Sequence, residues 1–204
     1  MPKALTTEKL KTLYLPPSNE FTIVDVPEMR FFMIDGKGRA RAKAFADATR
    51  WLFTVVHPIK LIAKERMGKR FVEPPLECLW DADDIQDLIL GNQEELKWCQ
   101  MIPTPDWLTD EMFSDAFAKA TDRFGDAPKS LRHDVFHEGR AVQIMHIGKP
   151  EQLGGVAKKL HGEFLPAQNL IAHGRHHEIY LTDPRRVAPD RMRTVLRQPV
   201  CTTD

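Results

Sequence analysis

The run His176-His177-Glu178-Ile179-Tyr180-Leu181 brings an imidazole, a carboxylate and a phenol into one short segment. Its residue types read as a strand, and in a strand successive side chains point to opposite faces. His176, Glu178 and Tyr180 therefore share one face, and Ile179 and Leu181 the other. The apolar pair is expected to pack under helices, leaving the polar trio on the face open to a ligand. Three polar groups on an inner sheet surface are costly unless they meet water, one another or a bound molecule. A carboxylate in an apolar groove is expected to have its pKa raised by desolvation, which suits a general base near neutral pH. Tyr180 or His176 would then steady negative charge developing on a substrate oxygen. The plainer alternatives are a Glu178 paired with Arg185 or Arg186, or solvated at an edge, and a Tyr180 with its hydroxyl at the sheet margin.

Trp80 and Trp98 lie on two further strand candidates. A strand tryptophan is more often core than cage, but two beside a carboxylate could form an aromatic box for a flat or cationic ligand. Trp51 and Trp107 fall on or beside helices and are read as packing residues. Met33, Met101 and His146 join Trp80, Trp98 and His176 as ligand-binding candidates. Of the eight histidines, His173, His176 and His177 cluster, yet neighbouring strand positions diverge, so a shared metal ion is the minor reading. Cys78, Cys99 and Cys201 are far apart and form no CxxC pair, which points to reduced thiols rather than a disulfide framework. No metal or other cofactor is implied.

These residues need elements to hold them. Residues 1–19 read as a polar lead-in ending at Pro16-Pro17, and 20–204 as the domain proper. Two extended pieces, separated by Pro27, are expected between Phe21 and Gly38. A helix follows from about Ala40 to Lys60, with Phe45, Ala48, Leu52, Val55 and Ile59 on one face; Pro58 should stop or kink it near His57. Strands are expected at 71–81 and 95–103, joined by a loop at Asp81–Asn92. Thr109 is a good N-cap for a second helix with Phe113, Phe117, Ala120 and Phe124 as its stripe. A hairpin around Glu138-Gly139, a helix over 151–164 carrying Val156, Leu160 and Phe164, and strands at 175–182 and 193–198 complete the chain. Strand–helix–strand–strand thus occurs twice, in halves of about 20–105 and 130–200. That order predicts an α+β fold with a mostly antiparallel sheet, helices on one face and a ligand groove on the other.

The bulk composition narrows the function classes. Lys+Arg and Asp+Glu are equal at 29 each, which gives no phosphate-tracking surface and argues against nucleic acid as a partner. No apolar stretch approaches the roughly 20 residues that a bilayer crossing needs, and the N-terminus has no secretory h-region. A soluble cytoplasmic protein with no membrane partner is expected, as a monomer or homodimer.

The segment HHEIYLTDPRRVAPDRMRTVLRQPV, residues 176–200, resembles the C-terminal signature of stand-alone GyrI-like proteins. LYLPPSNEFTIVDVPEMRFFMIDGKG, residues 13–38, is similar to the opening of the same group. Between them stand matching Pro75-Leu76-Glu77 with Leu79-Trp80, Lys97-Trp98, and Val142-Gln143-Ile144 with His146-Ile147-Gly148. The resemblance implies a duplicated βαββ (SHS2-type) fold with a groove for a hydrophobic or aromatic small molecule where the halves meet. It implies that Glu178 is the glutamate that meets cationic aromatic ligands in regulator domains of the family. It also implies an activity of some stand-alone members, hydrolysis of the strained cyclopropane of DNA-alkylating natural products for self-protection. The alternatives are a binding or sensing module without chemistry and, more weakly, a partner of DNA gyrase. Lys149-Pro150, Asp81 and Cys78 depart from the family's usual residues, which bears on substrate preference more than on fold.

Overall fold

The computed structural model describes residues 6–40, 42–81 and 96–203. Its strands are β1 (Thr22–Lys37), β2 (Leu76–Asp81), β3 (Lys97–Pro103), β4 (Arg132–Ile147), β5 (Leu170–Ala172), β6 (His176–Tyr180) and β7 (Arg193–Thr202). Their order is β4-β1-β3-β2-β6-β7-β5, and β4 also pairs with β7, so six strands close into a barrel with β5 on the outer edge of β7. Each pairing is antiparallel. Closure removes the open edges that a flat sheet of this length would expose.

Four helices accompany the barrel among the described residues. They are α1 (Thr7–Tyr14), α2 (Lys43–Met67), α3 (Asp110–Phe124) and α4, which runs from Leu153 to Lys159 and continues through Leu160–Phe164 to Ala167. None is long and apolar enough to cross a membrane. α2 buries Phe45, Ala48, Leu52, Val55, Val56 and Ile59 against the outer face of β1 and β3. Gln100 on β3, fully buried, donates to the Phe45 carbonyl at 2.9 Å and accepts from Thr49 Oγ1 at 2.9 Å, which fixes the start of α2 over the sheet. α4 buries Leu153, Ala157, Leu160 and Leu165 against Val142, Leu196 and Val200 of β4 and β7.

Several elements differ from the sequence expectation, each for a physical reason. α2 runs through Pro58 to Met67, because Ile59, Ile62 and Ala63 continue its buried stripe past the missing proline N–H. β1 and β4 are single strands of 16 residues rather than two pieces and a hairpin. They pair without a register break across Pro27 and Glu138, and Gly139 takes up the local conformation at φ 74°. Pro74-Pro75 hold residues 71–75 out of β2. Thr109 does cap α3, accepting from the Met112 amide at 3.2 Å. The buried stripe of α3, however, is Met112, Ala116 and Ala120, whose small side chains let it close on α2, while Phe124 stays largely exposed. The lead-in holds α1, whose Leu13 packs with Val24, Val26 and Ala141 inside the barrel. The expected loop at Asp81–Asn92 lies, from residue 82 on, outside the described residues.

The barrel interior is part apolar and part charged. Phe31, Met33, Leu79, Cys99 and Met101 fill one region, and Met145, Ile179 and Val195 another. Between them Glu77, Glu138, His177 and Arg197 are all buried. His177 Nδ1 is 2.9 Å from Glu138 Oε1, and Arg197 Nη1 donates to Glu138 Oε2 at 3.0 Å. His177 Nε2 lies 3.0 Å from Glu77 Oε2, close enough for charge attraction but misaligned for a hydrogen bond. α1 seals this set: Tyr14 Oη donates to Glu77 at 2.7 Å, and Arg197 Nη2 to the Leu13 carbonyl at 2.5 Å. Burial alone would raise the Glu138 pKa, yet the His177 and Arg197 charges bring it down to about 2. Burial alone would lower His177, yet Glu138 and then Glu77 lift it to about 9. Both groups are therefore charged near neutral pH.

Candidate functional site

The strand registers lay out the outer face of the barrel in rows. Gly36, Trp98, Trp80 and His176 form one row across β1, β3, β2 and β6. Ile34, Gln100, Cys78 and Glu178 form the next, and Ile102, Leu76, Tyr180, Thr194 and His146 lie in a third. The trio His176, Glu178 and Tyr180 thus shares a face as expected, but it is the helix-bearing face. Ile179 points into the barrel, with Leu181 packed beside that interior cluster. Alternation fixes which residues share a face and not which face the helices cover, so the apolar pair fills the interior instead of lying under a helix.

α2 packs on β1 and β3 and, through Phe45 on Trp80, on β2, while α4 packs on β4 and β7, so β6 and the adjoining part of β2 lie between the two helices. Glu178 stands there with its side chain 12% exposed. Tyr180 Oη donates to Glu178 Oε2 at 2.7 Å, and His176 Nε2 lies 3.7 Å from Oε1. Among the described residues no lysine or arginine forms an ion pair with this carboxylate. Burial opposes its charge, but His176, then Tyr180 and the nearby Trp80 indole, bring its pKa below the usual carboxylate value. The desolvation-raised pKa read from the sequence is therefore corrected: Glu178 is a persistent carboxylate, because its neighbours outweigh its burial. The same charge, after burial itself, pushes the Tyr180 phenol and the Cys78 thiol well above their ordinary values.

Trp80 and Trp98 are directly opposite each other and buried. Phe45 stacks on Trp80 with ring centres 5.7 Å apart and planes 7° from parallel, and meets Trp98 edge-on at 5.2 Å. The Trp98 ring lies across Gly36, where any Cβ would fall inside the indole. The two tryptophans are therefore core residues, packed under α2. Among the described residues neither indole N–H has a well-aligned hydrogen-bond partner, and neither do His176 Nδ1 and His161 Nε2, all of them buried atoms. Buried polar atoms in folded proteins are nearly always paired, and of these residues His176 and Trp80 are neighbours of Glu178.

The remaining candidates lie apart. Met33 and Met101 face each other across β1 and β3 inside the barrel, on the far side of the sheet from Glu178. His146 shares the outer face but sits two strands from Tyr180, about 10 Å away at ordinary strand spacing, with Nε2 3.1 Å from the Lys149 carbonyl. Among the described residues no three His, Cys, Asp or Glu side chains are grouped to hold a metal ion. His161 escaped the sequence reading. It belongs to a helix whose visible signal was its apolar stripe, and nothing in residues 151–164 marks the change of pitch that presents it.

The model of a family described as GyrI-like small molecule binding domain matches residues 19–200. An uncharacterized conserved protein from Listeria innocua is 31% identical, with a TM-score of 0.84 over 95% of this chain and 98% of its own. A protein from the same organism described as a hydrolase is 30% identical, with a TM-score of 0.76 over 95% and 98%. The C-terminal domain of EcmrR, 12% identical with a TM-score of 0.55 over 90% and 98%, shares the fold. Comparison with curated proteins gives no match.

Proposed function

We propose, since the chain belongs to the GyrI-like small-molecule-binding domain family, that the groove between α2 and α4 binds planar aromatic or cationic molecules. There it adds water to a strained electrophilic ring, protecting the cytoplasm from cyclopropane-bearing alkylators. The observation that carries the binding reading is Glu178: an ionised, nearly buried carboxylate whose described partners are a phenol and an imidazole. A buried charge left short of a counter-charge is costly, and a ligand with positive character offsets that cost. We also read β1-β3-β2 with α2, and β4-β7-β6 with α4, as two βαββ halves whose junction at β2 and β6 carries the groove.

The similarity to a Listeria innocua protein described as a hydrolase supports the catalytic half. In the reaction, the oxygen of water bonds to the methylene of a cyclopropane conjugated to a carbonyl, and the bond from that methylene to the ring system breaks. The electron pair moves to the conjugated oxygen, which takes up one proton as the attacking water gives one up. Glu178 orients the water and stabilises the positive charge it acquires. Tyr180, which keeps its proton and donates it in the hydrogen bond to Glu178, fixes the carboxylate. The Trp98 indole N–H, without a partner among the described residues, is the donor for the developing oxyanion, and the Trp80 indole supports the Glu178 charge.

A non-catalytic sequestering or sensing module is the second reading, favoured by one observation: a carboxylate with a lowered pKa is a weak base. Chromatography with mass detection, after mixing the protein with a cyclopropane-bearing alkylator, separates the two. Turnover to a product heavier by one water, abolished in Glu178→Gln, is the expected result. Unchanged compound that co-elutes with the protein would establish the binding module instead, and neither outcome would sink both readings.

A further inference from the structure

α4 changes pitch where it passes the groove. Over Leu160–Phe164 its backbone is π-helical, flanked by α-helical turns on both sides. Such single turns recur at functional sites, because the extra residue re-aims side chains without breaking the helix. Here the wider turn lets Leu160 and Leu165, five positions apart, enter the same core; a 3.6-residue turn would separate them. His161 lies on this turn, near enough to His176 of β6 for the two rings to interact. His161 is half-buried, and its Nε2 is shut off from solvent with no partner among the described residues. Burial first, and the neighbouring His176 second, push its pKa down to about 4, so the ring is neutral at physiological pH.

His176 presents the matching atom. Its Nε2 faces the Glu178 carboxylate, and its Nδ1 is buried with no partner among the described residues, an unmet polar group. A neutral imidazole, as His161 is, carries a proton on one nitrogen and a lone pair on the other, so it can accept a hydrogen bond. Two imidazoles, His161 on α4 and His176 on β6, each with one ring nitrogen unpaired among the described residues, thus stand near each other, His176 beside Glu178.

We infer that His161 and His176 form a polar subsite next to Glu178 that receives an N–H or O–H group on the edge of a planar ligand. The inference rests on the groove being the small-molecule site and narrows its ligand class. Planar aromatics with an edge amine, amide N–H or phenolic hydroxyl fit it better than cations without a donor.

The test is a fluorescence titration with two planar cations, 9-aminoacridine, which carries N–H donors on its edge, and 10-methylacridinium, which carries none. Wild type is expected to bind both, 9-aminoacridine more tightly. His161→Leu should weaken 9-aminoacridine by about five- to tenfold, the worth of one neutral hydrogen bond, and leave 10-methylacridinium unchanged. His161→Gln, which keeps an acceptor, should recover part of the loss. A His161→Leu protein that binds both dyes like wild type, or loses both equally, overturns the subsite. Glu178→Gln run alongside separates the two levels of the argument. If it weakens both dyes while His161→Leu weakens neither, the groove reading stands and only the subsite falls. If wild type binds neither dye, the groove reading and the subsite fall together.

Discussion

Replacing Glu138 by glutamine should remove most of the pH dependence of stability on the alkaline side. Glu138 is the anion that His177 and Arg197 share inside the barrel. His177 is raised from 6.5 to about 9 in the fold. At 1.36 kcal/mol per tenfold change in proton affinity, that is roughly 3 kcal/mol of stability. Because the folded value lies above the unfolded one, this contribution is complete below pH 6.5 and is lost as pH rises through 9. Glu138, lowered from 4.5 to about 2, works in the opposite sense: its contribution is complete above pH 4.5 and lost as pH falls through 2. His161, lowered from 6.5 to about 4 by burial, likewise contributes fully only above pH 6.5 and loses this as pH falls through 4, so stability should peak near pH 6.5 and decline on both sides. The thiols of Cys78 and Cys99, held protonated by burial, add to the alkaline decline only near and above their ordinary value of 9. In Glu138→Gln, His177 keeps only Glu77 as an acidic neighbour and Arg197 loses its one carboxylate, so the variant should be about 3–5 kcal/mol less stable at pH 6.5. Its stability should also change far less between pH 6.5 and 9. Urea unfolding followed by tryptophan emission reads both quantities, since Trp80 and Trp98 are buried. A wild-type stability that is flat from pH 6.5 to 9 would refute the charged state assigned to His177.

Two further outcomes follow from packing. Gly36→Ala should force the Trp98 ring off the sheet, lowering stability by about 1–3 kcal/mol and shifting the tryptophan emission to the red; an unchanged spectrum would mean the ring does not lie across Gly36. Under native conditions a thiol reagent should label one cysteine, Cys201. Cys78 and Cys99 are buried, and burial pushes the Cys99 thiol up to about 12, with Cys78 well above its ordinary value as well. Rapid labelling of two or more thiols would contradict the closed barrel.

The sequence carried the local rules well and the global ones less so. Thr109 as a helix cap, the shared face of His176, Glu178 and Tyr180, and the proximity of Trp80 to Trp98 all follow from spacing and side-chain chemistry. Which face of the strand lies under the helices does not, because period-2 alternation is symmetric between the two sides. The same symmetry hides the side taken by Met33 and Met101, which face each other inside the barrel. Glu138-Gly139 has the composition of a turn, yet the Glu138 carboxylate meets His177 and Arg197, which lie 39 and 59 residues away in the chain. No local pattern encodes such partners. α1 looked like a polar lead-in because only Leu13 is buried in it and Tyr14 points its hydroxyl at Glu77. His161 is exposed to view only once the π turn is seen.

The most direct test of the central claim is calorimetric titration of a planar cation such as 10-methylacridinium into wild type and Glu178→Gln at neutral pH. Gln keeps the size of the side chain and one acceptor oxygen for the Tyr180 hydroxyl, while the charge and the second acceptor are lost. A ligand cation held against an ionised, largely desolvated carboxylate should bind the variant about 10- to 100-fold more weakly, with the fold and its unfolding temperature retained. Equal affinities for the two proteins would mean that the Glu178 charge does not face the ligand, and that the groove between α2 and α4 is not where the molecule binds.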